Sequence, residues 1–515
     1  AGNPTELHTD AGTLTFTYDA AGRETERRLG EQVTLTQTWD QTDRLTSQTL
    51  THHTGGAEAA RLLQHRAYAY RPDGHLTEIR ELTSGTRRFD LTPTGRVTTV
   101  HAHGWTETYA YDPTGNLTHA TAPAHPAPGD RHHTGTILHR AGRTTHEHDA
   151  EGRLTRRTRR LLNGKTHTWT FTWNAEDRLT EAVTPDGEHW HYTYDPLGRR
   201  TTKHRLAEDG TPADTTTFTW DGTRLAEETA PDGRTTTWNY APDTHRPLTQ
   251  TTHHPSTHNP EESLLTKFTA PTDAPGPTRF HAVITDLVGT PTELVTAEGD
   301  LAWQHRTTLW GTPLPAPPGA ADCPFRFPGQ YHDPETGLHY NHHRYYDPET
   351  ARYISPDPLG LEPAPNHFSY VHNPHTRADP WGLYDCKKLN KIADREISRA
   401  VSGSRRTAGG YHGHLSKERE LEILANPDGV YVSHGGAERL IFHQGEDIVV
   451  MESKGSKAGN VITSYGPSGP KNASGAAAWG GSPNDPGPPV TREQIIKGQI
   501  PTPSGGTLPP ATPIR

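Results

Sequence analysis

The sequence has almost no sulfur: two cysteines, Cys323 and Cys386, and one methionine in 515 residues. A disulfide framework and a four-cysteine zinc site are thereby excluded. Apolar residues make up only 30% of the chain and mean hydropathy is −0.85. No run approaches the roughly 20 apolar residues that a membrane-spanning helix requires. No charged, apolar, small-residue leader follows Ala1, so a cleavable export signal is not expected. Low apolar content does not mean disorder here, because 11 Trp, 18 Tyr and 10 Phe recur at regular intervals in Thr-rich stretches. With 49 Gly and 45 Pro between them, these stretches read as many short strands separated by turns. The length is more than twice that of a usual single domain.

Charge is unevenly divided. Residues 384–515 hold 16 Lys/Arg against 13 Asp/Glu, a net of +3, and the preceding 383 residues carry −13. An acidic body with a mildly basic tail points to different partners for the two parts. The 35 His make the body's charge sensitive to mildly acid pH.

What the sequence does have is a repeat. An aromatic-Asp-x-x-Gly-Arg-Leu-Thr pattern appears as Tyr18-Asp19…Gly22-Arg23, Trp39-Asp40…Arg44-Leu45-Thr46 and Tyr111-Asp112…Gly115-Asn116-Leu117-Thr118. It returns as His148-Asp149…Gly152-Arg153-Leu154-Thr155, Trp173-Asn174…Arg178-Leu179-Thr180, Tyr194-Asp195…Gly198-Arg199 and Trp220-Asp221-Gly222. Each copy predicts a hairpin. An alternating strand enters a turn in which Asp bonds the backbone and Gly supplies a positive φ, and Arg-Leu-Thr leaves it. The aromatic packs on the next hairpin, so copies stack side by side. Alternation with Thr and charged residues predicts a thin wall rather than a thick sandwich.

These residues resemble the YD repeats of Rhs (rearrangement hot spot) proteins and of the related insecticidal-toxin C components, over roughly residues 10–383. Two further blocks carry the resemblance: Asp286-Leu287-Val288-Gly289-Thr290-Pro291, followed by Trp303 and Trp310-Gly311, and Arg326-Phe327-Pro328-Gly329-Gln330-Tyr331 through Asp357-Pro358-Leu359-Gly360-Leu361. The resemblance implies a mainly β fold, a strand ribbon spiralling into a closed hollow shell around a C-terminal payload. The expected division is a repeat shell over 1–270, a repeat-associated core and plug over 271–383, and a small α+β toxin domain over 384–515. In that family the chain is cut after an Asp-Pro-x-Gly-Leu signature, which stands here as Asp379-Pro380-Trp381-Gly382-Leu383. The scissile bond would be Leu383–Tyr384. The implied chemistry is aspartyl-type autoproteolysis, in which two carboxylates sharing a proton activate water and protonate the leaving amine. Asp347 and Asp357 are the candidate carboxylates, with Arg344 positioning them. Against this, Asp-Pro is an ordinary turn starter, and the chain has several.

After Leu383 the composition changes: the repeat stops and helical periodicity begins. Leu389 to Val401 predicts one helix and Leu415 to Ala425 a second. Strands are predicted at Val430–Ser433, Arg439–Gln444, Asp447–Ser453 and Asn460–Tyr465. A last short helix opens at Thr491 with Gln494 completing a capping box. The tail has no His-x-Glu with Cys-x-x-Cys, which excludes zinc deaminase chemistry, and no metal or cofactor is expected. Cys386 stands alone and reads first as an incidental thiol rather than a nucleophile.

His412 and His414, Lys454 and Lys457, and Thr463-Ser464-Tyr465 are the residue types that metal-independent RNA cleavage uses. A base takes the 2′-OH proton, an acid protonates the leaving oxygen, and a cation steadies the phosphorane. Each has a plainer reading as a surface, turn or strand residue; period-two alternation places Thr463 and Tyr465 on one face and Ser464 on the other. Their order resembles the barnase–EndoU–colicin E5/D–RelE-like nuclease superfamily over about 410–470. That resemblance leaves His434 or His443 as the second sheet histidine.

The leading expectation is thus a polymorphic Rhs toxin of interbacterial competition that delivers a ribonuclease into a target cell's cytoplasm. It implies RNA as substrate, a delivery machinery and a cognate immunity protein, acidic to match the +3 tail. An ADP-ribosyltransferase or DNase payload, or a non-enzymatic repeat protein of the cell surface, are the alternatives.

Overall fold

The computed structural model describes residues 3–53, 60–242, 244–255, 277–361, 364–383, 395–397, 399–409, 411, 413–433, 439–453, 457–469, 489–500, 507–508 and 511–513. The chain forms two compact units, Ala1–Tyr384 and Asp385–Arg515.

The first unit is dominated by an antiparallel sheet of 26 strands among the described residues, running from Glu6–Thr9 to Leu301–Gln304. Each strand pairs with its neighbours in sequence, so the sheet is one continuous meander. Its pairing continues past residue 270 through Thr278–Thr285 and Pro291–Val295.

The turn chemistry explains the repeat. Asp19 N–H donates to the Arg23 carbonyl at 3.0 Å and Gly22 N–H to the Asp19 carbonyl at 2.9 Å. Asp19 Oδ1 accepts from Ala21 N and Arg23 N, both at 3.0 Å, and Oδ2 accepts from Arg23 Nε at 2.7 Å. Gly22 sits at φ +80°, a conformation that costs a residue with a Cβ about 1–2 kcal/mol. Where the glycine is missing, Asp43 (φ 62°) and Asp177 (φ 58°) take the left-handed position. Each then receives the preceding repeat's arginine, Arg23 and Arg153, at 2.9 Å.

Register between hairpins is set by two hydrogen bonds running in opposite directions along the chain. The arginine reaches forward, Arg23 Nη1 to the Asp40 carbonyl at 2.8 Å and Arg199 Nη1 to the Gly222 carbonyl at 2.8 Å. The aromatic reaches back, Trp173 Nε1 to the Leu154 carbonyl, Tyr194 Oη to Leu179 and Trp220 Nε1 to Arg200, at 2.6–2.7 Å. A bulge at that aromatic, for example Thr172/Trp173 and Thr193/Tyr194, turns the ring toward its partner. The same backbone turn recurs at Thr92, Leu161, Ala207 and Ala230, where no Asp marks it. Those copies escaped the sequence pattern because their backbone makes the same turn, with a positive-φ glycine three residues on, without the leading Asp.

Inside the repeats lies a second, four-stranded sheet: Tyr331–Asp333, Leu338–Asn341, Arg344–Asp347 and Arg352–Tyr353. Nearly all of its residues are buried. One apolar cluster joins the wall residues Leu154, Phe171, Tyr192 and Phe218 to Tyr331, Tyr340 and Tyr345. Another joins Leu45, Tyr68, Val97 and Tyr109 to Trp310, Phe327, Tyr346 and Tyr353. A third packs the first strands (Leu14, Phe16, Leu35, Leu50) against Leu248, Ile284 and Val295, so the meander curls back on its own beginning. At these clusters the inward face of the meander is packed against its own later segment.

The wall and inner sheet are also pinned by charge. Arg200, 1% exposed, grips Asp333, 0% exposed, through two bonds of 2.6 and 2.9 Å, and Lys203 Nζ adds a third at 3.1 Å. The Phe218, Tyr331 and Tyr340 rings lie 4.5–5.3 Å from the Arg200 guanidinium. These cations hold Asp333 ionised despite its burial.

Buried histidines make the unit acid-sensitive. His342 is 4% exposed, and burial, helped by Arg178, pushes its pKa down to about 3. The unfolded chain, with a His pKa of about 6.5, then takes up the proton first. Stability from this residue is complete above about pH 6.5 and is lost as pH falls toward 3, by up to about 5 kcal/mol. Burial lowers His245, His332 and His375 in the same direction. The urea midpoint, followed by tryptophan fluorescence, is expected to drop steeply between about pH 6.5 and 4.5, and less so in His342→Gln.

The second unit has a six-stranded sheet in the order Arg406–Thr407, Asn460–Tyr465, Asp447–Glu452, Arg439–Gln444, Gly429–Ser433, Ala511–Pro513. The first pair is parallel and the others antiparallel. The four central strands match the sequence expectation to within a residue. The two edge strands were not foreseen, being only two and three residues long. The helix Lys417–Ala425 is capped by the Ser416 side chain and turns Glu420, Ile423 and Leu424 inward. The helix Arg492–Lys497 carries the expected Thr491–Gln494 capping box and ends at Gly498 in the left-handed region. Of the first expected tail helix, residues 395–397 and 399–401 are described and are helical.

Candidate functional site

Two clusters of chemistry-bearing side chains stand out, one in each unit. The first lies at the end of the inner sheet. The hairpin Leu338–Asn341/Arg344–Asp347 buries Arg344 completely, with its guanidinium 3.6 Å from the centre of the Tyr353 ring. Arg344 Nη2 bonds Asp357 Oδ2 at 2.8 Å and Asp379 Oδ2 at 3.5 Å, so the two carboxylates share one guanidinium nitrogen. Asp379 is fully engaged. Its Oδ2 accepts from Tyr353 Oη at 2.7 Å, and its Oδ1 accepts from Leu383 N at 2.9 Å and Trp381 N at 3.3 Å. Asn341 Nδ2 also holds the Asp379 carbonyl at 2.8 Å. The chain before Leu383 is thereby folded back on Asp379, and Leu383 is 1% exposed.

Burial pushes the Asp357 carboxyl up to about 6, against the pull of Arg344 and aided by the nearby Asp379 charge. A carboxyl near neutrality beside an anchored carboxylate is an acid–base pair of the kind that moves protons at a scissile amide.

Of the residues expected here, Arg344, Asp357 and Leu383 come together. Asp347 does not join them. Its oxygens accept from Glu349 N at 2.9 Å and Thr350 Oγ1 at 2.8 Å, so it caps its own Asp-Pro turn. The carboxylate beside Asp357 is Asp379, which belonged to the cut-site signature but was not taken as a catalytic candidate. Tyr353 and Asn341 carried no sequence signal. Tyr384 lies outside the described residues.

The second cluster is in the smaller unit, between helix Lys417–Ala425 and strand Asn460–Tyr465. Glu420, 0% exposed, accepts from Tyr411 Oη and Ser464 Oγ, each at 2.5 Å, and pairs with Arg405 Nε. Arg405 lies 5.0 Å from the centre of the Tyr411 ring. Burial and the Glu420 carboxylate push the Tyr411 hydroxyl up to about 12. The backbone closes the cluster: His414 N donates to the Ser464 carbonyl at 2.8 Å and Leu415 N to Ser464 Oγ at 3.3 Å.

The expected tail set is thus divided by the sheet. Ser464 and the His414 segment meet Glu420 on one face. Tyr465 joins Tyr431, Ile441, Ile448, Val450 and Ile495 in the apolar core of the other, its hydroxyl pushed up by burial, and Thr463 shares that face by alternation. His443 belongs there too, 6% exposed, with Nε2 3.0 Å from the Val490 carbonyl. Lys457 is exposed. His412, His434, Lys454 and Cys386 lie outside the described residues. Glu420, Tyr411 and Arg405 were missed, because a glutamate inside a charged helix and a lone tyrosine carry no pattern of their own.

The arginine-locked hairpins, stacked in one meander over a buried strand cluster, define a repeat-built β protein. The RHS Repeat family matches residues 92–127 and 173–212. A probable deoxyribonuclease, RhsB of Dickeya dadantii, is 32% identical over 419 residues, 81% of this chain and 27% of the relative. Double-stranded DNA deaminase toxin A of Burkholderia cenocepacia is 33% identical over 333 residues, 62% of this chain and 22% of the relative. The crystal structure of TcdB2-TccC3-TEV shares the fold, with a TM-score of 0.52 and 19% identity over 72% of this chain and 20% of that one. The chain belongs to the Rhs repeat proteins. It spans about a quarter of the length of the curated relatives it matches.

Proposed function

We propose that the chain belongs to a polymorphic Rhs toxin whose repeat unit carries, and by autoproteolysis releases, a ribonuclease. Relatives named as a deoxyribonuclease and a DNA deaminase toxin favour a payload that acts on nucleic acid. Cutting after Leu383 is supported by Asp357 and Asp379 sharing Arg344, and would leave the unit Asp385–Arg515 whole.

The observation that carries the ribonuclease is the buried Glu420–Tyr411–Ser464–Arg405 cluster, with the His414 segment bonded to Ser464. It assembles carboxylate, hydroxyl and guanidinium groups beside the backbone of the His414 segment, types that in-line attack by a 2′-OH uses. In this reading His414, with His412, supplies the proton transfers, Ser464 and Arg405 steady the phosphorane, and Lys454 adds positive charge. Thr463 and Tyr465 keep structural roles beneath the opposite face. The payload acts in the cytoplasm of a target cell after delivery by a secretion machinery. The producing cell is protected by an acidic immunity protein that covers the site.

Purified protein is to be incubated with tRNA, rRNA, duplex DNA and labelled NAD, with and without a chelator. Cleavage of RNA in both conditions is expected, reduced about 100-fold or more by His414→Ala. Cut DNA with intact RNA, or consumed NAD, replaces the ribonuclease with the corresponding payload. Harmless expression of residues 384–515 in a bacterium would sink the toxin reading.

A further inference from the structure

A second charged cluster in the smaller unit has no part in the chemistry above. Glu396 is 1% exposed, yet three guanidiniums converge on it: Arg395 Nε at 2.8 Å, Arg406 Nη2 at 3.1 Å, and Arg399 Nη1. Arg395 Nη2 and Arg406 Nη2 also donate to the Ala458 carbonyl, at 2.9 and 2.7 Å. Gly459, at φ +87°, makes this approach fit, since a Cβ there would lie 2.2 Å from Glu396 Oε1.

One arginine suffices to neutralise a buried carboxylate, so the other two leave a local excess of +2. The Arg395, Arg399 and Arg406 side chains remain 47%, 27% and 40% exposed. Glu396 therefore acts as a hub that fixes three forks in place while their outer N–H groups face solvent. A rigid guanidinium fork matches the oxygens of a phosphodiester and loses little entropy on binding one. The residue before Arg406, Arg405, pairs with Glu420, so adjacent residues of one segment belong to the two clusters.

We propose that Arg395, Arg399 and Arg406 form a docking site for a nucleic-acid phosphodiester backbone, leading the strand to the Glu420–Ser464 cluster. This rests on the ribonuclease reading. Contacts of this kind position a strand without reading its bases, so single-stranded RNA and DNA should bind alike while only RNA is cut.

The test uses the full chain carrying Glu420→Gln, a short fluorescein-labelled RNA and its DNA counterpart, over a series of KCl concentrations. Adding Arg399→Gln and Arg406→Gln is expected to flatten the slope of log affinity against log salt by about 1.4, about 0.7 for each lost contact on a single strand. The accompanying loss of affinity is about 25-fold larger at ~0.1 M than at ~1 M salt. The Lys pair, Arg399→Lys with Arg406→Lys, keeps the hub charged and should retain most of the slope. An unchanged slope in the Gln pair overturns the docking site, as does an equal loss in the Lys pair or binding of RNA alone. RNA cleavage by the parent chain alongside an unchanged slope removes the docking site only. A flattened slope with no cleavage of any RNA removes the ribonuclease reading instead.

Discussion

Asp357→Asn is expected to leave the chain intact on a denaturing gel, whereas the parent is expected to split beside Leu383 into fragments matching Ala1–Tyr384 and Asp385–Arg515 to within a residue. The expected effect is complete loss, because the amide keeps the size of the side chain but has no acidic proton to transfer to the leaving nitrogen. Arg344 still holds Asp379, so the turn that presents Leu383 should persist. The parent's rate should fall as pH rises through about 6, where burial places the Asp357 proton.

Stability gives an independent check with a fixed sign. Asp357 binds its proton more tightly folded than unfolded, where a carboxyl sits near 3.9. Its ionisation therefore costs stability progressively from about pH 4 to 6, reaching about 3 kcal/mol above that range. Asp357→Asn should match the parent near pH 4 and exceed it at pH 8. A variant that fails to cut and is also less stable at pH 8 is damaged rather than chemically silenced. Equal cutting by both chains would refute the assignment. Asp347→Asn should still cut, because Asp347 caps its own turn and faces Arg157 rather than joining Asp357.

Arg200→Met is expected to destabilise the repeat unit by about 3–5 kcal/mol, read as a lowered urea midpoint at neutral pH. The substitution leaves Asp333 buried and ionisable beside the Tyr331 and Tyr340 rings, with only Lys203 to compensate it. Pairing it with Asp333→Leu should recover most of the loss, since a buried ion pair exchanged for apolar groups is often nearly neutral. If the double variant is as unstable as the single one, packing of the Arg200 stem rather than the stranded charge is the cause. The pair matters because it is one of the few charged links between the repeat wall and the inner sheet that bears Arg344.

The repeat hairpins were legible because their information is local. A five-residue turn states its Asp, Gly and Arg in order, and the aromatic one hairpin on answers it, so 20-odd residues specify both the hairpin and its register. The change of composition and period after Leu383 is local information of the same kind. Degenerate copies such as Thr92 and Ala230 were hidden because the backbone keeps the turn after the Asp is gone.

Convergence was not legible in the same way. Asp347 and Asp357 look alike in the sequence, each before a proline, ten residues apart. Only the fold separates them, by turning Asp347 onto its own Thr350 and bringing Asp379 to the guanidinium that Asp357 shares. The tail set shows the same division: Thr463, Ser464 and Tyr465 are adjacent in sequence, yet the two-residue period of a strand sends the middle one to Glu420 and its neighbours to the opposite face. The sequence by itself determined a repeat-built β wall followed by a separate basic unit, because stacked turns are local and patterned. The tertiary structure alone decided which carboxylates, hydroxyls and arginines meet, because each such contact joins residues whose separation in the chain carries no period.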